Sequence, residues 1–134
     1  ISHLSKILND SNIKKILVVD DSTTSRKIVC RLLKLVGCEY NEAVDGKECI
    51  DHIKDSNLPD LILLDYEMPG MNGPTAVKLL RENGYTIPVI GLTGNLLQEE
   101  VDYFIESGAN FVVSKPLTIS RLNECIVGLA FNQQ

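Results

Sequence analysis

Leu61 to Gly73 reads LILLDYEMPGMNG. Four consecutive apolar residues run into Asp65, and a Pro-Gly turn follows within a few positions. An apolar run of this length with no polar alternation, closed by turn residues, is the pattern of a strand covered on both faces, as in a parallel sheet. A strand of that kind ending in a bare carboxylate has two explanations. Either Asp65 caps something local, or it is held at the rim of a sheet to do chemistry.

On either side of this stretch, four more segments read as strands. Ile16 to Val19 and Val89 to Leu92 are continuous apolar runs, Phe111 to Val113 is shorter, and Cys38 to Val44 is more polar. Helical patterns separate them. Thr23 to Val36 places Ile28, Val29, Leu32, Leu33 and Val36 on one stripe and stops at Gly37. Asp45 caps a helix running to Asp55 that carries Ile50 and Ile53. Pro74 opens the next, where its missing N–H costs nothing, followed by Ala76, Val77, Leu79 and Leu80. Asn95 is placed to cap Leu96 to Ser107, with Val101, Phe104 and Ile105 inward. Thr118 is placed to cap the last helix, with Leu122, Ile126 and Leu129 on one side.

Strands alternating with helices predict an α/β fold with a doubly wound, five-stranded parallel sheet. The most apolar strands belong in the centre and the polar second and short fifth at the edges, giving order 2-1-3-4-5, a flavodoxin-like arrangement. Residues 14–134 then form one domain, and residues 1–13 read as an extension, either an extra helix or a linker remnant.

In such a sheet every strand ends on one rim, and ligands bind where the winding reverses, here between strands one and three. Asp20 and Asp21 follow strand one, Asp65 strand three, Thr93 strand four, and Ser114 and Lys115 strand five. One helix cap would explain one aspartate of the pair, not both, and not Asp65. Taken singly, Thr93 is an ordinary loop threonine and Lys115 a solvated lysine. Together the three aspartates, Thr93 and Lys115 place three carboxylates, a hydroxyl and an ammonium on one rim. Clustered carboxylates repel one another unless a cation intervenes. Oxygen donors with no His or thiolate favour Mg2+, which keeps waters and accepts phosphate oxygens. A carboxylate between a divalent metal and a lysine is arranged to receive a phosphoryl group.

Composition removes other classes. The chain has 134 residues, 44% hydrophobic and 23% charged, ordinary values for one globular domain with a real core. A net charge of −5, with no basic cluster beyond Lys14-Lys15, gives no electrostatic support for nucleic-acid binding. No apolar run reaches the roughly 18 residues of a membrane span, and no signal-peptide pattern is present. Cys30, Cys38, Cys49 and Cys125 form no C-x-x-C pair and read as reduced thiols of a cytoplasmic protein. The first residue is Ile1, so a module cut from a longer protein is expected.

These residues resemble the receiver domains of two-component response regulators. The resemblance covers Lys14 to about Ala130. It rests on Asp20-Asp21 after strand one, D-x-x-M-P-G-M-N-G from Asp65 to Gly73, the Thr93-Gly94 step, and Lys115-Pro116. Each motif alone is weak; all four in order, each after a strand, are specific. The resemblance implies that Asp65 is the phosphoacceptor, taking the group from a phosphohistidine. It implies that the domain catalyses its own phosphorylation and slow dephosphorylation. Asp21 and Asp65 would bind Mg2+ directly with the backbone carbonyl of Glu67, and Asp20 mainly through a water. Lys115 would pair with Asp65 and then with the phosphoryl group, and Thr93 would move toward that group. The Lys115-Pro116 peptide is commonly cis in the family. Implied partners are a histidine kinase or histidine phosphotransfer domain, and a kinase or output domain linked in the same protein.

The chain departs from the pattern twice. Three residues before the lysine the family often has Tyr or Phe; here stands Val112, and alternation points Phe111 to the other face. The output face, formed by the helix after strand four, strand five and the last helix, is therefore expected to respond differently or weakly. Glu67 adds a carboxylate beside the acceptor, expected to perturb metal binding or dephosphorylation. Among rival readings, an FMN protein is opposed by Asp20-Asp21, which would repel the phosphate, and by the absence of Trp. A haloacid-dehalogenase-type phosphatase is opposed by Met68-Pro69 in place of its motif. A degenerate receiver acting only as a protein-binding module is opposed by the complete residue set.

Overall fold

The computed structural model describes residues 2–55 and 58–132. The described residues form, in order, α1 Ser2–Asp10, β1 Lys15–Val19, α2 Thr23–Leu35, β2 Glu39–Ala43, α3 Gly46–Lys54, β3 Leu61–Asp65, α4 Gly73–Glu82, β4 Val89–Thr93, α5 Gln98–Ser107, β5 Phe111–Ser114 and α6 Ile119–Asn132. The strands form one parallel sheet in the order β2-β1-β3-β4-β5, as expected. Every residue of β3 and β4 is buried, whereas β2 alternates and carries its polar residues on an edge.

Alternation along the strands divides the core in two. Ile16, Val18, Leu61, Leu63, Ile90 and Leu92 pack under α1, α2 and α6. Leu17, Val19, Ile62, Leu64 and Val89 pack under α3, α4 and α5. All four cysteines are buried and free. Burial pushes the thiols of Cys30, Cys38 and Cys125 up to about 11 and that of Cys49 to about 12, which leaves them protonated and unreactive near neutrality.

Residues 2–10 are helical, and they join the core. Leu4, Leu8 and the following Ile13 are buried with α6 and α2, and the Ser5 hydroxyl donates to the Val36 carbonyl at 2.9 Å, just past the end of α2. Truncating Leu8 to Ala removes a side chain only 3% exposed. It is expected to lower stability by about 2–4 kcal/mol, the range for buried leucines. Thermal melting checks this, and an unchanged midpoint would mean that α1 contributes nothing to the core.

Three helix details differ from the sequence expectations. On α2, Ile28 is 49% exposed, and the buried stripe is Arg26, Val29, Cys30 and Leu33. On α5, Phe104 is buried but Ile105 is exposed. Finally, α5 starts at Gln98 with no side-chain cap. Asn95 does not cap it, because its backbone is closed onto Thr93: the Asn95 N–H donates to Thr93 Oγ1 at 3.2 Å, and the Thr93 hydroxyl donates to the Asn95 carbonyl at 3.0 Å. The caps at Asp45 and Thr118 are present, with Glu48 N–H at 2.8 Å and Arg121 N–H at 3.1 Å donating to them.

Candidate functional site

Asp20 and Asp21 directly follow β1, and Ser22, not either aspartate, caps α2: its hydroxyl oxygen accepts from the Ser25 N–H at 3.2 Å. The aspartate pair is thus free of that duty. Asp20 is 1% exposed; its N–H donates to the Ala43 carbonyl and its Oδ1 accepts from the Ser22 N–H at 2.9 Å. Asp21 is exposed at the mouth.

At the end of β3, Asp65 is 5% exposed. Gly70, at φ 80°, lets the loop turn back so that the Gly73 N–H donates to the Tyr66 carbonyl at 2.8 Å. The Pro-Gly turn therefore folds the chain away from the carboxylate and leads directly to the Asn72 cap of α4. What remains above Asp65 is an open cavity of about 650 Å³, lined among others by Asp21, Glu67, Thr93, Asn95 and Lys115.

Lys115 reaches in from the end of β5. Its ammonium lies 2.9 Å from Asp20 Oδ2 and 3.1 Å from Asp65 Oδ1, so it bridges two buried carboxylates rather than pairing with Asp65 alone. Its backbone N–H donates to the Thr93 carbonyl at 2.8 Å, and the peptide to Pro116 is cis. Candidate metal-ligand atoms of Asp20, Asp21 and Asp65 all lie within 4.8 Å of one another. The sheet therefore brings together Asp20, Asp21, Asp65, Thr93 and Lys115, with Glu67 at the cavity wall.

The electrostatics follow from crowding. Burial, and then the charge of Asp20, push the Asp65 carboxyl up to about 6, against the pull of Lys115. Burial also works to raise Asp20, but hydrogen bonds from Ser25, Lys115 and Ser22 outweigh it and hold that carboxyl below its ordinary value. For Lys115, burial is outweighed by its bonds to Asp20 and Asp65, which raise it and keep it charged. One lysine does not satisfy three carboxylates. The all-oxygen donor set, its convergence and the raised Asp65 fit a hard divalent cation.

Sequence reasoning passed over Arg26. Its side chain is buried, with Nη1 donating to the Asp20 carbonyl at 2.8 Å and Nε to Glu42 Oε1 at 2.9 Å. The signal was available: position 26 falls at helical spacing with Cys30 and Leu33, so an arginine sits on the buried stripe.

Residues 16–127 match the family model described as the response regulator receiver domain. The chain is 40% identical over 118 residues to two-component response regulator 24 of Arabidopsis thaliana, covering 88% of this chain and 85% of that protein. It is 33% identical over 121 residues to the sensor histidine kinase RcsC of Escherichia coli, covering 90% of this chain but only 13% of the kinase. Among solved structures, the receiver domain of the Francisella response regulator 1452 matches with a TM-score of 0.79 at 28% identity, over 90% of this chain and 99% of that one. The Vibrio cholerae chemotaxis protein CheY4 matches with a TM-score of 0.78 at 30% identity, over 87% and 98%. Receiver domains as a class bind Mg2+ at a cluster of aspartates and interact with histidine kinases or phosphotransfer proteins; this chain has such a cluster. No helix among the described residues is long and apolar enough to cross a membrane. With the sheet order, the acidic cluster and the matched span in agreement, the chain belongs to the family of response regulator receiver domains.

Proposed function

We propose that this chain accepts a phosphoryl group from a phosphohistidine onto Asp65 in a Mg2+-dependent reaction, and that the phosphorylated form switches a partner or a linked output domain. One observation carries the reading: a buried carboxylate at the floor of an open cavity, 3.1 Å from an ammonium and converging with two further aspartates. An Asp65 oxygen would attack phosphorus as the P–N bond breaks, and the bonding pair would return to the imidazole nitrogen. The product is an acyl phosphate and a free histidine. Asp20, Asp21, Asp65 and the Glu67 backbone carbonyl are the groups that would hold Mg2+, which supplies neutralisation of charge on the transferred oxygens. Lys115, already between Asp20 and Asp65, is placed to follow that charge. Thr93 would have to exchange its bonds to Asn95 for one to the phosphoryl group.

The donor would be a histidine kinase or phosphotransfer domain, in the cytoplasm, and the full protein a hybrid kinase or a regulator with a separate output domain. Output is proposed to run through α5, β5 and α6 without an aromatic rotamer switch. Val112 offers no ring. Phe111 packs on the opposite face, its ring so close to Gly128 that a Cβ there would come within 2.6 Å.

Transfer from a phosphorylated histidine phosphotransfer domain tests the reading. The label is expected to move to this chain and to be released by hydroxylamine, as an acyl phosphate must be. A hydroxylamine-stable label would place it on another group. Glu67, exposed on the cavity wall, supports a second prediction. Glu67→Asn removes one negative charge beside the acceptor and is expected to change the lifetime of the phosphorylated form. An unchanged lifetime would show that this carboxylate does not act on the site.

A further inference from the structure

We propose that Arg26 is a positioning residue of the cation and phosphoryl site, holding the peptide that joins Asp20 to Asp21. The carbonyl that Arg26 Nη1 grips at 2.8 Å belongs to that peptide, and the N–H on the other side of Asp20 is fixed by the Ala43 carbonyl of β2 at 3.1 Å. The backbone that aims both carboxylates is therefore pinned from α2 and from β2 at once. The inference rests on the proposed metal site and extends it to a residue that touches none of the reacting atoms.

A purely structural reading explains less. The neighbouring stripe positions Val29, Cys30 and Leu33 are apolar, and an apolar side chain at 26 would be simpler to bury than a guanidinium, which needs partners for its charge and donors. The protein instead supplies those partners. Glu42 accepts from Arg26 Nε at 2.9 Å and is itself held by Lys27 at 2.8 Å. Bonds from Lys27 and Arg26, net of the opposing effect of burial, hold its carboxyl below the usual range, so it stays charged. The arrangement makes sense if the fixed carbonyl matters. Groups that orient metal ligands from behind commonly change metal affinity by about 10–100-fold when removed.

The test is a titration of the intact chain with MgCl2, followed by the backbone amide resonances of Asp21 and Gly94, with thermal melting in parallel. Arg26→Met keeps bulk and removes both bonds; Arg26→Lys keeps the charge but cannot reach the carbonyl and Glu42 together. Both are expected to weaken Mg2+ binding, by about tenfold for the methionine and less for the lysine. Glu42→Gln keeps an oxygen for Arg26 Nε and is expected to lower the melting midpoint while leaving Mg2+ affinity within about twofold. A wild type that ignores Mg2+ overturns the metal reading and this inference together. A wild type that binds Mg2+, with folded Arg26→Met or Arg26→Lys binding equally well, overturns this inference alone. Lower melting midpoints in the Arg26 variants without any change in affinity would likewise assign Arg26 to the fold and not to the site.

Discussion

The Asp65→Asn protein is expected to take up no phosphoryl group under conditions that label the wild type, and to be more stable than the wild type above pH 6. The first effect follows from chemistry, since an amide oxygen is not the anionic nucleophile that a carboxylate is. The second follows from where Asp65 is held. Burial and the neighbouring Asp20 raise its carboxyl from 3.8 to about 6, so the folded chain binds that proton more tightly than the unfolded chain. The stability contributed by this tighter proton binding is present below the unfolded value and is lost as pH rises through about 6. Asparagine never charges, so it escapes the loss, and Lys115 keeps Asp20 as its partner. The gain should be on the order of 2–3 kcal/mol at pH 7–8 without divalent cations and should fade toward pH 4. Denaturant unfolding across that range measures it, and a gain independent of pH would rule out proton binding at Asp65 as its cause.

Phe104→Ala is expected to lower stability by about 3–5 kcal/mol, the range for a buried aromatic truncated in a core. The ring is fully buried on α5 and meets Tyr66 edge-on, with centroids 5.4 Å apart and planes at 85°. It occupies space left by two glycines. A Cβ on Gly91 would run into the ring itself, and one on Gly73 would meet the Asp65 carbonyl first and then the ring at 2.8 Å. With the ring gone, little can collapse into a gap floored by β4 and the start of α4. The same geometry makes the pair non-additive. Gly91→Ala alone should destabilise by overpacking, and in the Phe104→Ala background it should be neutral or restorative. Purely additive effects would mean that the ring does not fill the glycine gap. Because Tyr66 follows Asp65 directly, Phe104 also ties the end of β3 to α5.

The fold was legible because its signals are local and agree with one another. Apolar runs at Ile16, Leu61 and Val89 mark strands covered on both faces, and the polar Glu39–Ala43 marks an edge. The site was legible because parallel strands put residues distant in sequence on one rim. What escaped the sequence is how neighbours share partners. Asn95 has the right residue type for a cap, but Thr93 already holds its backbone, so α5 begins at Gln98. Ile28 fits an apolar stripe, yet α2 is rotated so that Arg26 faces inward, where Asp20 and Glu42 satisfy it. Lys115 pairs with Asp65 as expected, but its second partner, the buried carboxylate of Asp20 lying as near, was not foreseen. None of these pairings has a spacing that a sequence pattern exposes.

Everything proposed for the site depends on the identity of the group that is modified. The chain is to be incubated with a small phosphodonor, with and without Mg2+, and read by intact mass. The predicted result is a single phosphoryl adduct that requires Mg2+ and is absent from Asp65→Asn. An adduct that persists in Asp65→Asn, or no adduct on the wild type across several donors, would contradict it.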